Sequence, residues 1–69
     1  MRKLELGSRR VLRVTAAAAY LSTSARCVRS LVQRGELPIV KLSENGHSPW
    51  LLDVRDLDAL IERRKVVLQ

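Results

Sequence analysis

The sequence predicts a small, mainly α-helical domain with three helices and a two-stranded antiparallel β-hairpin. Apolar residues recur at helical spacing in three segments, and a polar break separates the first two. A β-branched run with an Asn-Gly reversal precedes the third. Sixty-nine residues make one domain, because a chain of this size buries only about 60% of its unfolded surface. We divide it into an N-terminal arm (1–13), the domain itself (14–65) and an apolar tail (66–69).

The positive charge lies almost entirely in the first half of the chain. The formal net charge is +6, and residues 1–35 carry eight basic residues against one acidic residue. Residues 36–69 carry five basic and six acidic residues. A protein that needs charge only for solubility would intersperse the two signs. The segregation therefore predicts a binding face for a polyanion, with nucleic acid as the first candidate.

The rest of the composition indicates the cellular compartment and argues against enzyme activity. One cysteine cannot form a disulfide within the chain, and no apolar run approaches the ~20 residues that span a bilayer. We therefore expect a soluble, cytoplasmic protein without a membrane partner. No nucleophile–base pair or Gly-rich phosphate loop is present, so we expect no enzyme activity, no cofactor and no metal site.

The first helix is predicted from about Ala16 to Leu21, with Thr15 as its N-cap. Four consecutive alanines favour a helix, and their small side chains allow another helix to approach closely. A polar break, Ser22-Thr23-Ser24, follows, and Ser24 can cap the next helix. In the preceding arm, Leu4-Glu5-Leu6 alternates like a short strand.

The second helix, about Ala25 to Arg34, has two contrasting sides. At about 100° per residue, one arc carries only polar and basic side chains, and the opposite arc is apolar. The polar arc consists of Arg26, Arg29, Ser30 and Gln33, and the apolar arc of Ala25, Val28, Leu31 and Val32, with Cys27 at the margin as a partly buried thiol. Gly35 is the expected left-handed stop.

A hairpin and a third helix complete the domain. Ile39-Val40-Lys41-Leu42 has strand character, and Pro49-Trp50-Leu51-Leu52 is the expected returning strand. Asp53 is the predicted N-cap of the third helix, whose buried stripe consists of Val54, Leu57, Leu60 and Ile61. The tail residues Val66-Val67-Leu68 either pack on the domain or pair with Leu4-Glu5-Leu6 of the same or a neighbouring chain.

This order of elements describes a winged helix-turn-helix. From Val14 to Arg63 the chain resembles the excisionase-type DNA-binding domains, relatives of the MerR-like winged helices. The matching residues are Val14, Ala17-Ala18, Ser24, Arg26, Val28, Leu31, Gly35-Glu36-Leu37-Pro38, Trp50 and Asp56-Leu57-Asp58-Ala59. The chain departs from the family at Ser22, where glycine is usual in the turn, and at Leu51, where a basic residue commonly follows the tryptophan. Its wing is also longer and lacks the common basic tip.

The resemblance implies a sequence-specific double-stranded DNA-binding protein, either an excisionase (a recombination directionality factor) or a small transcriptional regulator. Helix 25–34 would enter the major groove and read bases with Arg26, Arg29, Ser30 and Gln33. The DNA backbone would contact Ser24, Arg34, Lys41, Arg9, Arg10 and Arg13, and Asn45 and His47 would lie at the wing tip. Implied protein partners are an integrase or RNA polymerase, with self-association on repeated sites.

Each of these assignments has an alternative. In the alternative interpretation, the polar arc of the second helix is an ordinary solvent-exposed helix surface without a ligand, and the N-terminal arginines form a disordered basic tail. His47 would be a solvated loop residue. At the level of function, the alternative is a protein-interaction or DNA-packaging adaptor that uses the same fold, like the small terminase subunits of phages. In such an adaptor the apolar tail would be the working surface.

Overall fold

The structure is a computed structural model that describes residues 9–44, Gly46 and residues 48–68. It contains three helices and a two-stranded antiparallel sheet, which confirms the predicted fold class. In chain order the elements are β1 (Val11–Arg13), α1 (Val14–Tyr20), α2 (Ala25–Gln33), β2 (Leu51–Asp53) and α3 (Val54–Arg63). The segment Leu4-Glu5-Leu6 lies outside the described residues.

The sheet pairs strands that differ from the predicted pair. β1 runs antiparallel to β2, with Leu12 opposite Leu52 and Arg13 opposite Leu51. The predicted hairpin contributes one bridge, in which the Val40 N–H donates to the Leu51 carbonyl at 2.7 Å. Leu52 is fully buried, and half-buried Leu12 beside it packs against the core. Residues 11–13, which we placed in the arm, thus form a strand that pairs with β2. Three residues are too short a stretch for alternation to reveal a strand.

Helix α1 begins two residues earlier than predicted. Arg13 is both the last residue of β1 and the N-cap of α1, and its backbone is extended. The Arg13 side chain makes no capping hydrogen bond, and Thr15, the predicted N-cap, lies inside the helix. The chain thus passes directly from strand to helix, because Arg13 already has the extended conformation that an N-cap requires.

The helix-turn-helix connection is a Schellman turn with a serine in the left-handed position. Ser22 has a φ of 58°. The N–H of Thr23 donates to the Ala18 carbonyl at 2.8 Å, and the N–H of Ser22 donates to the Ala19 carbonyl at 3.1 Å. Residues with a Cβ rarely adopt this φ, which accounts for the glycine that is usual at this position in the excisionase-type domains the sequence resembles.

Helix α2 ends in a second Schellman turn, and here the left-handed residue is glycine. Gly35 has a φ of 81°, and its N–H donates to the Val32 carbonyl at 3.0 Å. The N–H of Glu36 donates to the Leu31 carbonyl at 2.9 Å. This confirms the predicted stop and places Glu36 beside the end of the helix.

The core is small and is formed by all three helices, β2 and the segment after α2. Its buried members are Ala17, Ala18, Val28, Leu31, Leu37, Leu52, Leu57 and Leu60. Because the α1 residues at the centre of this core are alanines, the backbones of α1 and α2 can approach closely. Outside the core, the Tyr20 hydroxyl donates to Asp58 and joins α1 to α3. That hydrogen bond raises the pKa of the Tyr20 phenol above its ordinary value.

Candidate nucleic-acid interface

Helix α2 is fixed at its N-terminus by Ser24. The Ser24 hydroxyl oxygen accepts a hydrogen bond from the Cys27 N–H at 3.1 Å, which confirms the predicted cap. The Ser24 carbonyl accepts from the Val28 N–H at 3.1 Å and so begins the helical pattern. A hydroxyl that accepts through one lone pair still has its own proton to donate. Ser24 can therefore cap the helix and contact a phosphate oxygen together.

The rotation of α2 about its axis is set by its buried side. Val28 and Leu31 are buried in the core beside Ala17 and Ala18. On the opposite side, Arg26, Arg29 and Gln33 are exposed and Ser30 is half-buried. Neither arginine forms an ion pair with any carboxylate that the structure describes. The four residues predicted to read bases therefore share one outward face, which we call the α2 face.

Five of the six residues predicted to contact the DNA backbone are exposed cations, and three of these five have no described ion pair. Arg9, Arg13 and Lys41 are exposed and have no ion pair within the described ranges. Leu51 links the segments that carry Arg13 and Lys41. It lies opposite Arg13 in the sheet, and it forms the bridge with Val40, the residue before Lys41. Their positive charge is thus available to solvent or a polyanion.

Arg10 is attached to the domain and is not part of a free arm. Its carbonyl accepts a hydrogen bond from the Val54 N–H at 2.7 Å. Its Nε and Nη2 atoms both donate to Asp53 Oδ2, at 3.2 and 3.0 Å. Two hydrogen bonds hold the pKa of the Asp53 carboxyl below its ordinary value. The bond from Arg10 has the larger effect, and the bond from the Arg55 N–H, at 2.9 Å, has the smaller one. The same carboxylate therefore caps α3, as predicted, and anchors the start of the domain.

Arg34 is also paired, in an arrangement that sequence reasoning missed. Its Nη2 atom lies 3.3 Å from Glu36 Oε2, and Arg64 Nη2 lies 2.9 Å from Glu36 Oε1. Arg63 Nη2 donates to the Glu36 carbonyl at 3.2 Å. We call these four residues the Glu36 cluster. The available sequence signal was a lone acid directly after the Gly35 stop, together with three consecutive basic residues, 63–65, at and just beyond the end of α3.

The tip of the wing, with Asn45 and His47, lies outside the described residues. On its described flanks, the Ser48 hydroxyl donates to the Ser43 carbonyl at 2.9 Å, and Leu42 is exposed. The flanking charges, Lys41 and Glu44, are both exposed and of opposite sign. The described part of the wing therefore adds little net charge to the α2 face.

A second surface feature is an open groove of about 430 Å³ between the end of α1, α2 and α3. Its apolar lining comprises Leu21, Leu31, Leu60 and Ile61, and Thr23, Cys27, Arg34 and Arg64 complete it. We call it the α1–α3 groove. Cys27 is exposed, so our expectation of a partly buried thiol was wrong. Positions 27, 31 and 34 recur at helical spacing and form a third side of α2.

The described residues meet neither the requirements of a metal site nor those of a membrane-spanning helix. Within residues 9–44, 46 and 48–68, His, Cys, Asp and Glu do not form a group that could hold a metal ion. In the same part of the chain, none of the helices has the length and apolar character that crossing a bilayer requires.

Comparison with known sequences and structures agrees with this architecture at the level of the family. A family described as a helix-turn-helix domain matches residues 11–65, which include both strands and all three helices. No curated protein and no solved structure matches the chain. Because the match covers most of the 69 residues and begins at β1, the chain belongs to the helix-turn-helix domain family.

Proposed function

We propose that this protein binds double-stranded DNA in a sequence-specific manner, with α2 in the major groove. The observation that carries the proposal is the α2 face: Arg26, Arg29 and Gln33 project together from a helix whose other side is buried. The B-DNA major groove is about 12 Å wide and admits an α-helix. Nine residues give α2 a length of about 14 Å, enough to cross it.

The side chains of the α2 face have the chemistry that base recognition needs. Arginine can donate two hydrogen bonds to the O6 and N7 atoms of guanine, and glutamine can pair with the N6 and N7 atoms of adenine. Ser30 is short and half-buried, so it permits close approach between the helix and the floor of the groove. Arg26 and Arg29 have no described ion pair to break before binding, which favours their use here.

Phosphate contacts would come from the start of α2 and from the exposed cations around it. The Ser24 hydroxyl and the positive end of the helix favour a phosphate oxygen. Arg9, Arg13 and Lys41 would add charge neutralisation. Arg10 and Arg34 would contribute only if DNA competes successfully with Asp53 and Glu36, so we place them after the other three.

Within DNA binding, we propose two roles that use the same helix: an excisionase, which bends DNA and directs an integrase, or a small transcriptional regulator. The resemblance of residues 14–63 to excisionase-type domains supports the first. A circular-permutation assay on the bound site separates them, because a strong bend favours the excisionase and an unbent site with RNA polymerase recruitment favours the regulator.

The second candidate function is an adaptor that binds protein through the same fold. The observation that favours it is the exposed apolar tail: Val66, Val67 and Leu68 are 76%, 82% and 89% exposed. A monomer gains nothing from exposing three consecutive aliphatic residues. In the adaptor the tail would carry the function and the arginines would serve solubility.

The experiment that tests the proposal is a footprint on DNA flanking the gene, followed by titration of the protected site with variants. Arg29→Ala and Gln33→Ala should each weaken specific binding by about 1–3 kcal/mol and leave the circular dichroism spectrum unchanged. Arg64→Ala serves as the matched control, because it removes an arginine of the Glu36 cluster and leaves the α2 face complete. The adaptor is favoured instead if no DNA is protected, or if all three variants bind like the unmodified protein.

A further inference from the structure

The three long side chains of the α2 face form one row along the helix. At about 100° per residue, Arg26, Arg29 and Gln33 lie within about 60° of one another around the axis of α2. At a rise of about 1.5 Å per residue, Arg29 lies about 4.5 Å beyond Arg26 along this axis, and Gln33 lies about 6 Å beyond Arg29. Ser30 is half-buried at the edge of the row. The row therefore presents three long side chains in a fixed order.

The length of the row matches a short run of base pairs. From Arg26 to Gln33 it measures about 10.5 Å. Neighbouring base pairs are about 3.4 Å apart along the duplex axis, and a path along the groove is longer because it also winds around that axis. The helix of a C₂H₂ zinc finger carries its base-reading residues over a similar length and contacts three successive bases, principally on one strand. Three successive base pairs are therefore the natural target of the row.

The chemistry of the α2 face favours purines on the strand that it contacts. In the major groove, cytosine offers an amino group that a carboxylate accepts from, and thymine offers a methyl group that needs an apolar contact. The nine residues of α2 include no Asp or Glu, and the four residues of the α2 face include no apolar side chain. Arginine instead pairs with the O6 and N7 atoms of guanine, and glutamine with the N6 and N7 atoms of adenine.

The row ends at Gln33, although another arginine follows it directly. Arg34 lies about 100° around the helix from the middle of the row, and its Nη2 atom is 3.3 Å from Glu36 Oε2. Arg26 and Arg29, in contrast, have no ion pair with any carboxylate that the structure describes. Each of their guanidinium groups can therefore direct two N–H donors at one base. We thus count three base-reading side chains.

We propose that α2 reads three successive purines on one strand: a guanine with Arg26, a guanine with Arg29 and an adenine with Gln33. This inference rests on the proposed function, because α2 must enter the major groove for the row to reach base edges. It adds the identity and the order of the bases. The triplet is 5′-GGA-3′ if the contacted strand runs in the direction of α2, and 5′-AGG-3′ if it runs in the opposite direction. In both cases the two guanines are adjacent and the adenine is at one end.

The first test is selection of bound duplexes from a fully randomised DNA library with the unmodified chain. The enriched sequences should share GGA or AGG on one strand. An enriched motif that contains neither triplet on either strand would overturn the inference and would leave sequence-specific DNA binding standing. If no motif is enriched at all, both the inference and the proposed function are wrong.

The second test exchanges the specificity of one position at a time. Arg29→Gln should change the preferred middle base from guanine to adenine, so that GAA replaces GGA, or AAG replaces AGG. Gln33→Arg should change the terminal adenine to guanine. Competition titrations with duplexes that differ at one base pair should show these preferences as roughly 5- to 150-fold ratios of affinity, because one bidentate contact discriminates between bases by that factor. The other two positions of the triplet should keep their preference.

Arg34→Gln is the matched control, because it makes the same chemical change one residue beyond the row and should leave the preferred triplet unchanged. Positions 29, 33 and 34 are exposed, and arginine and glutamine have similar helix propensities, so circular dichroism should show all three variants folded. If Arg29→Gln weakens binding to every duplex equally and the preferred middle base stays guanine, Arg29 contacts the DNA backbone and the inference is wrong. A changed triplet in Arg34→Gln would also overturn it.

Discussion

The α2 face and the Glu36 cluster lie on the same helix and at its end, yet their arginines are in opposite situations. Arg26 and Arg29 project from α2, in its first turn and at its middle, with no described ion pair. Arg34, one residue beyond α2, shares Glu36 with Arg64. Net charge counts these arginines equally, whereas the structure separates those without a described ion pair from those paired with a carboxylate. The net charge predicts a polyanionic partner, and the presence or absence of an ion pair at each arginine predicts which arginines contact that partner.

The largest expected effect comes from two double variants that remove the same net charge. Arg26→Ala/Arg29→Ala should lose about 2–6 kcal/mol of specific DNA binding, because each base contact contributes about 1–3 kcal/mol. Arg63→Ala/Arg64→Ala should weaken binding by less than about tenfold, since it removes charge without removing base contacts. Fluorescence anisotropy titration at one salt concentration measures both. Equal losses would show that only net charge matters and would remove the distinction between the two regions.

The salt dependence of DNA binding sharpens the same comparison. If about 4–6 phosphates are neutralised, log K should fall against log salt with a slope of about −4 to −5. Glu36→Gln removes the carboxylate that Arg34 and Arg64 share. We expect Arg34, which lies at the end of α2, to reach a phosphate in this variant and to steepen the slope by about one. The slopes are obtained from titrations between about 50 and 200 mM salt. An unchanged slope would place the cluster out of reach of the DNA, and a salt-independent affinity would contradict the proposed interface.

The pair Arg10–Asp53 should act on stability in a pH-dependent way. The folded-state pKa of Asp53 is lowered, so its contribution is present above the unfolded pKa of about 3.9 and is lost as the pH falls through the lowered folded value. Asp53→Asn keeps an oxygen that can cap α3 but removes the ion pair. Its free energy of unfolding should be below that of the unmodified protein at neutral pH, and the two curves should converge in acid.

Denaturant titrations from pH 7 to pH 2 measure this effect. Arg10→Gln should show the same convergence, because it removes the other half of the pair. Parallel curves for Asp53→Asn and the unmodified protein would mean that the ion pair contributes nothing to folding.

Sequence periodicity predicted the helices well but did not predict the contacts between distant segments. The two sides of α2, the Ser24 and Asp53 caps and the Gly35 stop all follow from local spacing, and all are present. The pairing of β1 with β2 joins residues 38 to 42 positions apart, and three-residue strands are too short to alternate visibly. The Arg10–Asp53 pair depends on that pairing, and the Glu36 cluster on the packing of α3 against the end of α2. Both place a carboxylate beside an arginine that we predicted to contact phosphate.

The smallest effects should come from the two Schellman turns, which flank the α2 face without belonging to it. Ser22 and Gly35 occupy equivalent left-handed positions, with φ values of 58° and 81°. A residue with a Cβ pays about 1–2 kcal/mol there, whereas glycine loses more entropy on folding, by about 0.5–1 kcal/mol. Ser22→Gly should therefore stabilise the domain by roughly 0.5–1 kcal/mol, and Gly35→Ala should destabilise it by a similar amount.

No heavy atom lies within 4 Å of a Cβ built on Gly35, so backbone strain alone should set the cost of the alanine. Thermal unfolding followed by circular dichroism measures both variants. Opposite signs would confirm that the two turns are equivalent in backbone and differ only in the residue that each carries. Specific DNA binding should be unchanged in both variants at temperatures where both are folded, because neither touches Arg26, Arg29 or Gln33. A loss of binding in folded Gly35→Ala would instead show that the Glu36 cluster, which this turn positions, contributes to the DNA interface.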